Sequence, residues 1–382
     1  RKLIADEASH VDVNRILFGG LPPKVNILSP INDTTANSEE VAVKVCVQDQ
    51  GGGIGNIIYK LNSITLGIDE ASKRGLVRVT EENAQCTKIF THKLSMEDGD
   101  NELVVTAFNK DNTIESIAAK ATVEFDAPEY AKPDLHVLAI GINNYKDSNL
   151  SLRYAVPDAR SFIDSIKFSS HGLFNNIEIH KLLDANASIA SIEKMFNSLS
   201  KKIKPNDVFV FYVASHGVTM DGRYYMIPQE LVYQNEDSVR ENAISQQTLQ
   251  KWLATIPAKK SLVLLDTCNS GTFVAIPERG LTEKAAVSKL MRATGRVIIG
   301  ASAGDQQAME GYEGHGVFTY TLLEALRGLA DKSGNNDGQL TVNELAEYIG
   351  DRVPKITQER WGKQQFPMQS LQGRSFPIAL TH

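Results

Sequence analysis

The sequence predicts two domains: an all-β sandwich, then an α/β domain built on a mostly parallel sheet with helices on both faces. Three observations carry this. From Lys24 to Phe125 short alternating apolar runs are separated by turn residues, the pattern of half-buried strands. After a Pro-bearing hinge, Asp126 to Pro133, apolar strands alternate with amphipathic stretches, as βαβ units require. At 382 residues the chain exceeds one usual domain and can bury two separate cores.

Composition narrows the function classes. A net charge of -6 and the lack of a basic cluster leave no case for nucleic acid. No run is long enough to cross a bilayer, and the N-terminus has no signal pattern, so no membrane partner is expected. Because the chain begins at Arg1 and not Met, a fragment with a missing upstream region is expected. Three scattered cysteines form neither a disulfide framework nor a metal site. A reducing, cytoplasmic setting and a monomer are the resulting expectations.

Residues 1–22, ending in Gly19-Gly-Leu-Pro-Pro23, read as a linker or the remnant of an upstream region. Residues 23–126 hold seven runs: Val25 to Leu28, Val41 to Val47, Ile57 to Leu61, Val77 to Val79, Cys86 to Phe90, Glu102 to Phe108 and Ala121 to Phe125. Seven short strands with turns between them suggest a sandwich of immunoglobulin-like type. Gly51-Gly-Gly-Ile-Gly55 lacks a Lys-Ser/Thr partner and opens no helix, so it reads as a turn and not a phosphate loop. Cys46 and Cys86 are expected as two buried free thiols, the alternative being a bond across the sheets. A regulatory partner, steric control of the second domain and a mere spacer all fit the sandwich.

Residues 133–382 supply strands at Leu135 to Ile142, Ile177 to Leu183 and Arg296 to Ser302, and helices at Ala155 to Lys167, Ser188 to Lys202, Ser245 to Ala254, Thr282 to Thr294, Val317 to Gly328 and Val342 to Val353. Arg223 to Pro228 looks like a hairpin arm, and Phe376 to Leu380 closes the chain. Two further strands end in chemistry. Asp207-Val-Phe-Val-Phe-Tyr-Val-Ala-Ser-His-Gly217 finishes on His216, and Ser261-Leu-Val-Leu-Leu-Asp-Thr-Cys-Asn-Ser-Gly271 finishes on Cys268. In open α/β sheets the carboxyl edge, where strand order reverses, collects ligands. A thiol and an imidazole delivered there side by side make a nucleophile with its base.

Ser215-His216-Gly217 and Asp266-Thr-Cys268-Asn-Ser-Gly271, 52 positions from His216 to Cys268, resemble the motifs of the caspase-like cysteine peptidases. The true caspase signature Gln-Ala-Cys-x-Gly is absent; Asp-x-Cys-x-Ser-Gly is similar to metacaspases and bacterial orthocaspases. Leu138 to Tyr145, Asp221 to Pro228, Gly300-Ala-Ser-Ala303 and Gly316 to Leu323 extend the resemblance, which spans about Pro133 to Leu380.

The resemblance implies a caspase-like fold and a cysteine endopeptidase acting on proteins or peptides. Cys268 would be the nucleophile, His216 its base, and the backbone N–H groups of Gly217 and Cys268 the oxyanion donors. Asp266 and Asp158 would line the S1 pocket and favour Arg or Lys at P1, and Ser302 would meet the substrate backbone. Asp158 has a rival reading as a helix N-terminal carboxylate, and Arg153 a rival reading as a selector of acidic P1 residues. Ala214 departs from the family, which often carries Ser two before the histidine. Arg279, in Pro-Glu-Arg-Gly, is the candidate self-processing site. A silent regulatory protein and an Asp- or Asn-specific peptidase are the alternatives.

No cofactor is required by this chemistry. Ser333-Gly-Asn335-Asn-Asp337-Gly-Gln-Leu-Thr-Val-Asn-Glu344 follows the spacing of a calcium loop, with Ser333, Asn335, Asp337 and Glu344 as ligands. The other reading is an Asn/Gly turn that leads into a helix through Thr341 and Glu344.

Overall fold

In Val41-Ala-Val-Lys-Val-Cys-Val the alternate residues Val43, Val45 and Val47 are fully buried, as a strand with one face on a core demands. The structure, a computed structural model, describes residues 20–70, 86–97, 99–126, 132–220, 223–269, 296–301, 308–371 and 375–381, with Cys268 and Asn269 described by backbone alone. The chain divides into two units, Arg1–Glu129 and Tyr130–His382.

The first unit contains β1 (Lys24–Ser29), β2 (Thr34–Thr35), β3 (Glu40–Gln48), β4 (Asn56–Leu61), β5 (Ile64–Glu70), β6 (Lys88–Ser95), β7 (Gly99–Ala107) and β8 (Ala119–Phe125). They form a three-stranded sheet, β1-β3-β6, and a five-stranded sheet, β2-β8-β7-β4-β5. One core, including Val45 and Phe90 from the first sheet and Tyr59, Leu103 and Val123 from the second, fills the space between them. Strand β5 was not anticipated, because Ile64-Thr-Leu-Gly-Ile mixes its polar and apolar positions. The Gly51 to Gly55 segment is a turn in which Asp49 Oδ1 accepts the N–H groups of Gly51 and Gly53. The expected strand Val77 to Val79 lies outside the described residues.

Cys46 and Cys86 are joined by a disulfide, with Cα atoms 5.4 Å apart, which corrects the expectation of two free thiols. Cys46 sits on β3, and Cys86 lies two residues ahead of β6, the strand paired with β3. The ladder brings Val47 opposite Lys88, and the Thr87 N–H donates to the Val47 carbonyl. The bond therefore closes the end of one sheet and does not span two. Only the strand register, which residue spacing does not give, puts the two cysteines within disulfide reach.

The second unit runs β9 (Leu135–Gly141), α1 (Ala155–Ser169), β10 (Ile177–Leu183), α2 (Ile189–Lys202), β11 (Val208–Met220), β12 (Arg223–Met226), α3 (Glu236–Asn242), β13 (Ile244–Ser245), α4 (Gln246–Thr255), β14 (Lys260–Asn269), β15 (Val297–Gly300), β16 (Glu310–Tyr312), β17 (His315–Gly316), α5 (Val317–Glu324), β18 (Gln339–Thr341), α6 (Val342–Trp361), β19 (Met368–Ser370) and β20 (Pro377–Leu380). The central sheet has the order β10-β9-β11-β14-β15-β19. Its first five strands are parallel and β19 is antiparallel. Chain direction across the sheet reverses between β9 and β11, the kind of switch point at which ligand sites form.

Both faces are covered, which is why the strands read as unbroken apolar runs. On one face Val137, Val210, Tyr212 and Leu264 pack against Phe162 of α1, Phe318 of α5 and Ile349 of α6. On the other, Leu138, Phe211 and Leu265 meet Phe196 of α2 and Leu253 of α4. Arg296, fully buried, ties the amino ends of β14 and β15 to the end of α4. It donates to the carbonyls of Leu253 and Ile256 at 2.8 Å and to Ser261 Oγ. Burial pushes its guanidinium down to about 10, still charged at neutral pH. Arg296→Ala would strand these acceptors at roughly 1–3 kcal/mol each.

Helix α6 was expected to stop at Val353, ahead of Pro354, yet it continues to Trp361 and ends where Gly362 turns left-handed at φ 68°. An interior proline costs about 3 kcal/mol. Burying Val353 and Ile356 on the same face returns roughly 1.5–3 kcal/mol each, enough to carry the helix through. The expected helix Thr282 to Thr294 lies outside the described residues.

The disulfide generates a direct expectation. In denaturant without reductant, thiol titration should find one thiol per chain, rising to three after reduction. Three thiols before reduction would contradict the bond.

Candidate active site

Strands β11 and β14 pair in parallel from Val208 opposite Lys260 to Gly217 opposite Asn269, and this register sets His216 opposite Cys268. Adjacent strands run about 4.8 Å apart, so the two backbones bring these residues together at the carboxyl edge. Neighbours set the state of the imidazole. His216 Nε2 lies 2.8 Å from the Leu150 carbonyl, which can only accept, so Nε2 carries the proton and Nδ1 is the basic nitrogen. The His216 backbone N–H donates to Tyr145 Oη at 2.9 Å, and the Tyr145 ring lies 5.2 Å from the imidazole, centroid to centroid. Burial pushes the imidazole down to about 4 against the opposing pull of the Leu150 carbonyl. At neutral pH it is an uncharged base.

The two expected pocket carboxylates converge on Gly316. Asp158, in the first turn of α1, does not cap its own helix. Its Oδ1 lies 2.6 Å from His315 Nδ1 and its Oδ2 accepts the Gly316 N–H at 3.0 Å. Asp158 does stand in the first turn of α1, as its reading as a helix N-terminal carboxylate requires, and its oxygens are in addition taken by β17. Asp266 Oδ2 accepts from Thr319 Oγ1 at 2.6 Å, and Tyr212 Oη stands 2.7 Å from that same hydroxyl. With the Thr319 proton given to the carboxylate, the Tyr212 hydroxyl donates to Thr319. A methyl group on Gly316 would lie 3.2 Å from Asp158 Oδ2 and 3.4 Å from Asp266 Oδ2. A side chain there would crowd both acids.

Burial raises the Asp266 carboxyl to about 8, reinforced by the neighbouring Asp158 charge and opposed by Thr319. Burial also raises Asp158, with His315 and Gly316 pulling the other way, and Glu310 is raised by burial and by Asp158. Two carboxylates in one poorly solvated place resist carrying two charges. The Asp266 carboxyl therefore keeps its proton to a higher pH than an ordinary carboxylate.

Gly217 has a packing reason for lacking a side chain. A methyl there would meet the Tyr224 ring at 2.8 Å and Thr267 Oγ1 at 3.0 Å, so the contact it protects is internal. Arg153 is exposed, whereas Asp158 is buried. Ala214 is buried in the sheet opposite Asp266. Ser302 and Arg279 lie outside the described residues. Sequence reasoning missed Leu150, His315, Thr319 and Tyr212. His315 was the most findable, as a His-Gly pair immediately before an apolar helix.

The segment from Ser333 to Glu344 spends its oxygens on itself. Ser333 Oγ donates to the Ala330 carbonyl, and the Asn335 amide donates to Asp337 Oδ2. Glu344 Oε2 accepts from the Thr341 N–H and hydroxyl in a capping box. Nearby Asp331 accepts the N–H groups of Asp337 and Gly338. Thr341 and Glu344 thus form the capped entry to α6 that the alternative reading expected.

The raised carboxyl of Asp266 has a stability consequence. Its folded value, about 8, lies above the unfolded one, so the folded chain binds the extra proton between about pH 4 and 8. Stability from this group is present at low pH and lost as pH rises through that window. Asp266→Asn should therefore raise the Tm more at pH 8.5 than at pH 5. An equal gain at both would contradict the shift.

Comparison with known proteins gives the family. The caspase-domain model of peptidase family C14 matches residues 135–374, which holds the whole site just described. No curated protein matches the chain. Among solved structures, a structural-genomics protein from Geobacter sulfurreducens is similar over 63% of this chain and 94% of its own, at 15% identity and a TM-score of 0.42. Fibronectin(III)-like modules of CbhA from Clostridium thermocellum are similar over 27% of this chain and 100% of theirs, at 17% identity and a TM-score of 0.20. An endo-β-1,4-mannanase from Thermotoga petrophila is similar over 28% of this chain and 20% of its own, at 12% identity and a TM-score of 0.21. By its family match over most of its length, the chain belongs to the caspase-domain peptidase family.

Proposed function

We propose that the chain is a cysteine endopeptidase that cuts proteins or peptides after Arg or Lys. The observation that carries this reading is the acid pair of buried Asp158 on α1 and half-buried Asp266 on β14, two residues before Cys268, beside the His216 and Cys268 register pair. Cys268 attacks the scissile carbonyl and His216 Nδ1 takes the thiol proton. The resulting oxyanion is met by backbone N–H groups of Gly217 and Cys268. His216 then returns the proton to the leaving amine, and water hydrolyses the thioester with the same base. Because the imidazole rests uncharged, proton transfer accompanies attack and does not precede it.

A guanidinium or ammonium at P1 supplies the positive charge that the acid pair lacks. On binding it favours the ionised form of Asp266, and the buried ion pair gains from the same low dielectric that penalised the lone carboxylate. An acidic P1 residue would add a further negative charge beside the acid pair. Self-cleavage after Arg279 follows from the same preference. The Cys46–Cys86 bond supports an oxidising compartment in place of the expected cytoplasm. No helix among the described residues is long and apolar enough to cross a membrane.

Fluorogenic peptides with Arg, Lys, Asp or Asn at P1 test the reading. Turnover is expected for Arg and Lys, falling by roughly a thousandfold or more in Cys268→Ala. For Asp266→Asn the kcat/KM on Arg should drop roughly 30-fold or more, the equivalent of about 2 kcal/mol. Intact-mass analysis should show a cut after Arg279 in the parent and none in Cys268→Ala. Preference for Asp or Asn would overturn the pocket. No turnover of any peptide, with no self-cleavage, would overturn the activity.

A further inference from the structure

The parallel sheet has a second polar cluster at its amino edge, opposite the edge that carries His216. Three side chains make it. His136 is the second residue of β9, and in the β9–β10 register it pairs with Glu178; His180 follows two residues along β10. Positions 178 and 180 share a face of the strand, so both side chains stand beside His136. The His136 and His180 rings are stacked, 6.4 Å apart at 14°. His136 aligns with Phe209 of β11, seven residues before His216, a distance of roughly 23 Å at the rise of a strand. The cluster therefore plays no part in the site described above.

Hydrogen bonding makes the cluster unusual. His136 Nδ1 and His180 Nε2 are both buried and neither has a hydrogen-bond partner, although His136 as a residue is only 2% exposed. Leaving a buried polar nitrogen unmatched costs about 1–3 kcal/mol, and here two occur around one carboxylate. Glu178 Oε2 lies 3.7 Å from His136 Nδ1 and 3.6 Å from His180 Nε2. These gaps are too long for hydrogen bonds. A tetrahedral ion with bonds of about 2.1 Å sets its ligands about 3.4 Å apart, close to both values. All three ligand atoms lie within 4.8 Å of one another.

We propose that His136 Nδ1, His180 Nε2 and Glu178 Oε2 bind a divalent transition-metal cation of the zinc class. Two imidazoles and one carboxylate are donors of that class and not of calcium or magnesium. The supporting shell is present. The far nitrogen of His136, Nε2, faces Asp207 Oδ2 at 3.4 Å, and Asp207 is itself held by the N–H groups of Lys204 and Asp134. A carboxylate behind a ligating imidazole fixes its orientation and directs the other nitrogen to the metal. His180 and Glu178 are about one-fifth exposed, at 21% and 22%, which leaves a path in for the ion and a fourth position for water. Lys202, at 2.6 Å from Glu178 Oε2, competes for the carboxylate and must withdraw when the cation binds. The ion would rivet the edge strand β10 to β9.

The whole chain carrying Cys268→Ala, which removes the thiol as a rival ligand, is titrated with Zn²⁺ against a chromophoric chelator. One equivalent should bind, Zn²⁺ should raise the Tm, and Co²⁺ should give the intense visible band of a tetrahedral site. In the same background, His180→Ala, on a partly exposed edge-strand residue, should weaken binding roughly tenfold or more while circular dichroism shows the metal-free fold intact. Lys202→Ala should tighten it. Binding that is absent in the parent, or unchanged by both His180→Ala and Glu178→Gln, would overturn the proposal and leave the cluster as an ionic network with Lys202.

Discussion

The site depends on one constraint, the parallel register of β11 against β14. Side chains alternate along a strand, so a slip of one residue would move Cys268 by about 3.3 Å and turn it to the other face. Two features hold the register against that slip. Both strands are buried on both faces, with Phe211, Val213, Val263 and Leu265 committed to one core and Val210, Tyr212, Leu262 and Leu264 to the other. A one-residue shift would exchange the two sets. At the amino ends, Arg296 fixes β14 to α4, and the Asp207 carboxylate fixes the start of β11 through the amides of Lys204 and Asp134. The edge that carries His216 and Cys268 inherits its precision from polar anchors at the opposite end.

The acid pair shows the converse arrangement, in which stability is given up at the working edge. Asp158 and Asp266 are brought together in a place that disfavours their charge, and Thr319, His315 and the Gly316 amide soften the cost. A fold optimised for stability alone would place an amide there. A site meant to receive a cation gains from holding the acids poorly solvated, because the incoming charge then relieves an existing strain in the electrostatics. Gly316 keeps the space between them open.

Much of this was legible from the chain alone, for identifiable reasons. The βαβ succession and the strands ending on His216 and Cys268 were readable because parallel strands buried on two faces leave continuous apolar runs, and because polar residues at such ends stand out. The pairing of His216 with Cys268 was expected from motif order. What stayed hidden depends on register or long-range contact. The Cys46–Cys86 bond needed the β3–β6 pairing, and Leu150 acts through its carbonyl, which any residue would supply. His315 and Thr319 reach Asp158 and Asp266 across more than 50 residues of sequence. The loop from Ser333 to Glu344 matched a calcium pattern by spacing, and spacing does not reveal the bonds of Asp331 to the Asp337 and Gly338 amides. Helix α6 ran through Pro354 because tertiary burial outweighed a local penalty.

The central claim is that a cationic side chain completes an acid pair in which Asp266 holds its proton unusually tightly, and proton release on binding tests it most directly. Calorimetric titration of an Arg-containing peptide into the Cys268→Ala chain at pH 7, repeated in buffers of different ionisation enthalpy, reads the number of protons exchanged. With Asp266 near 8, binding should release close to one proton per peptide, and Asp266→Asn should abolish the release. Binding without proton release, or tighter binding of a peptide with Asp in place of Arg, would contradict the account.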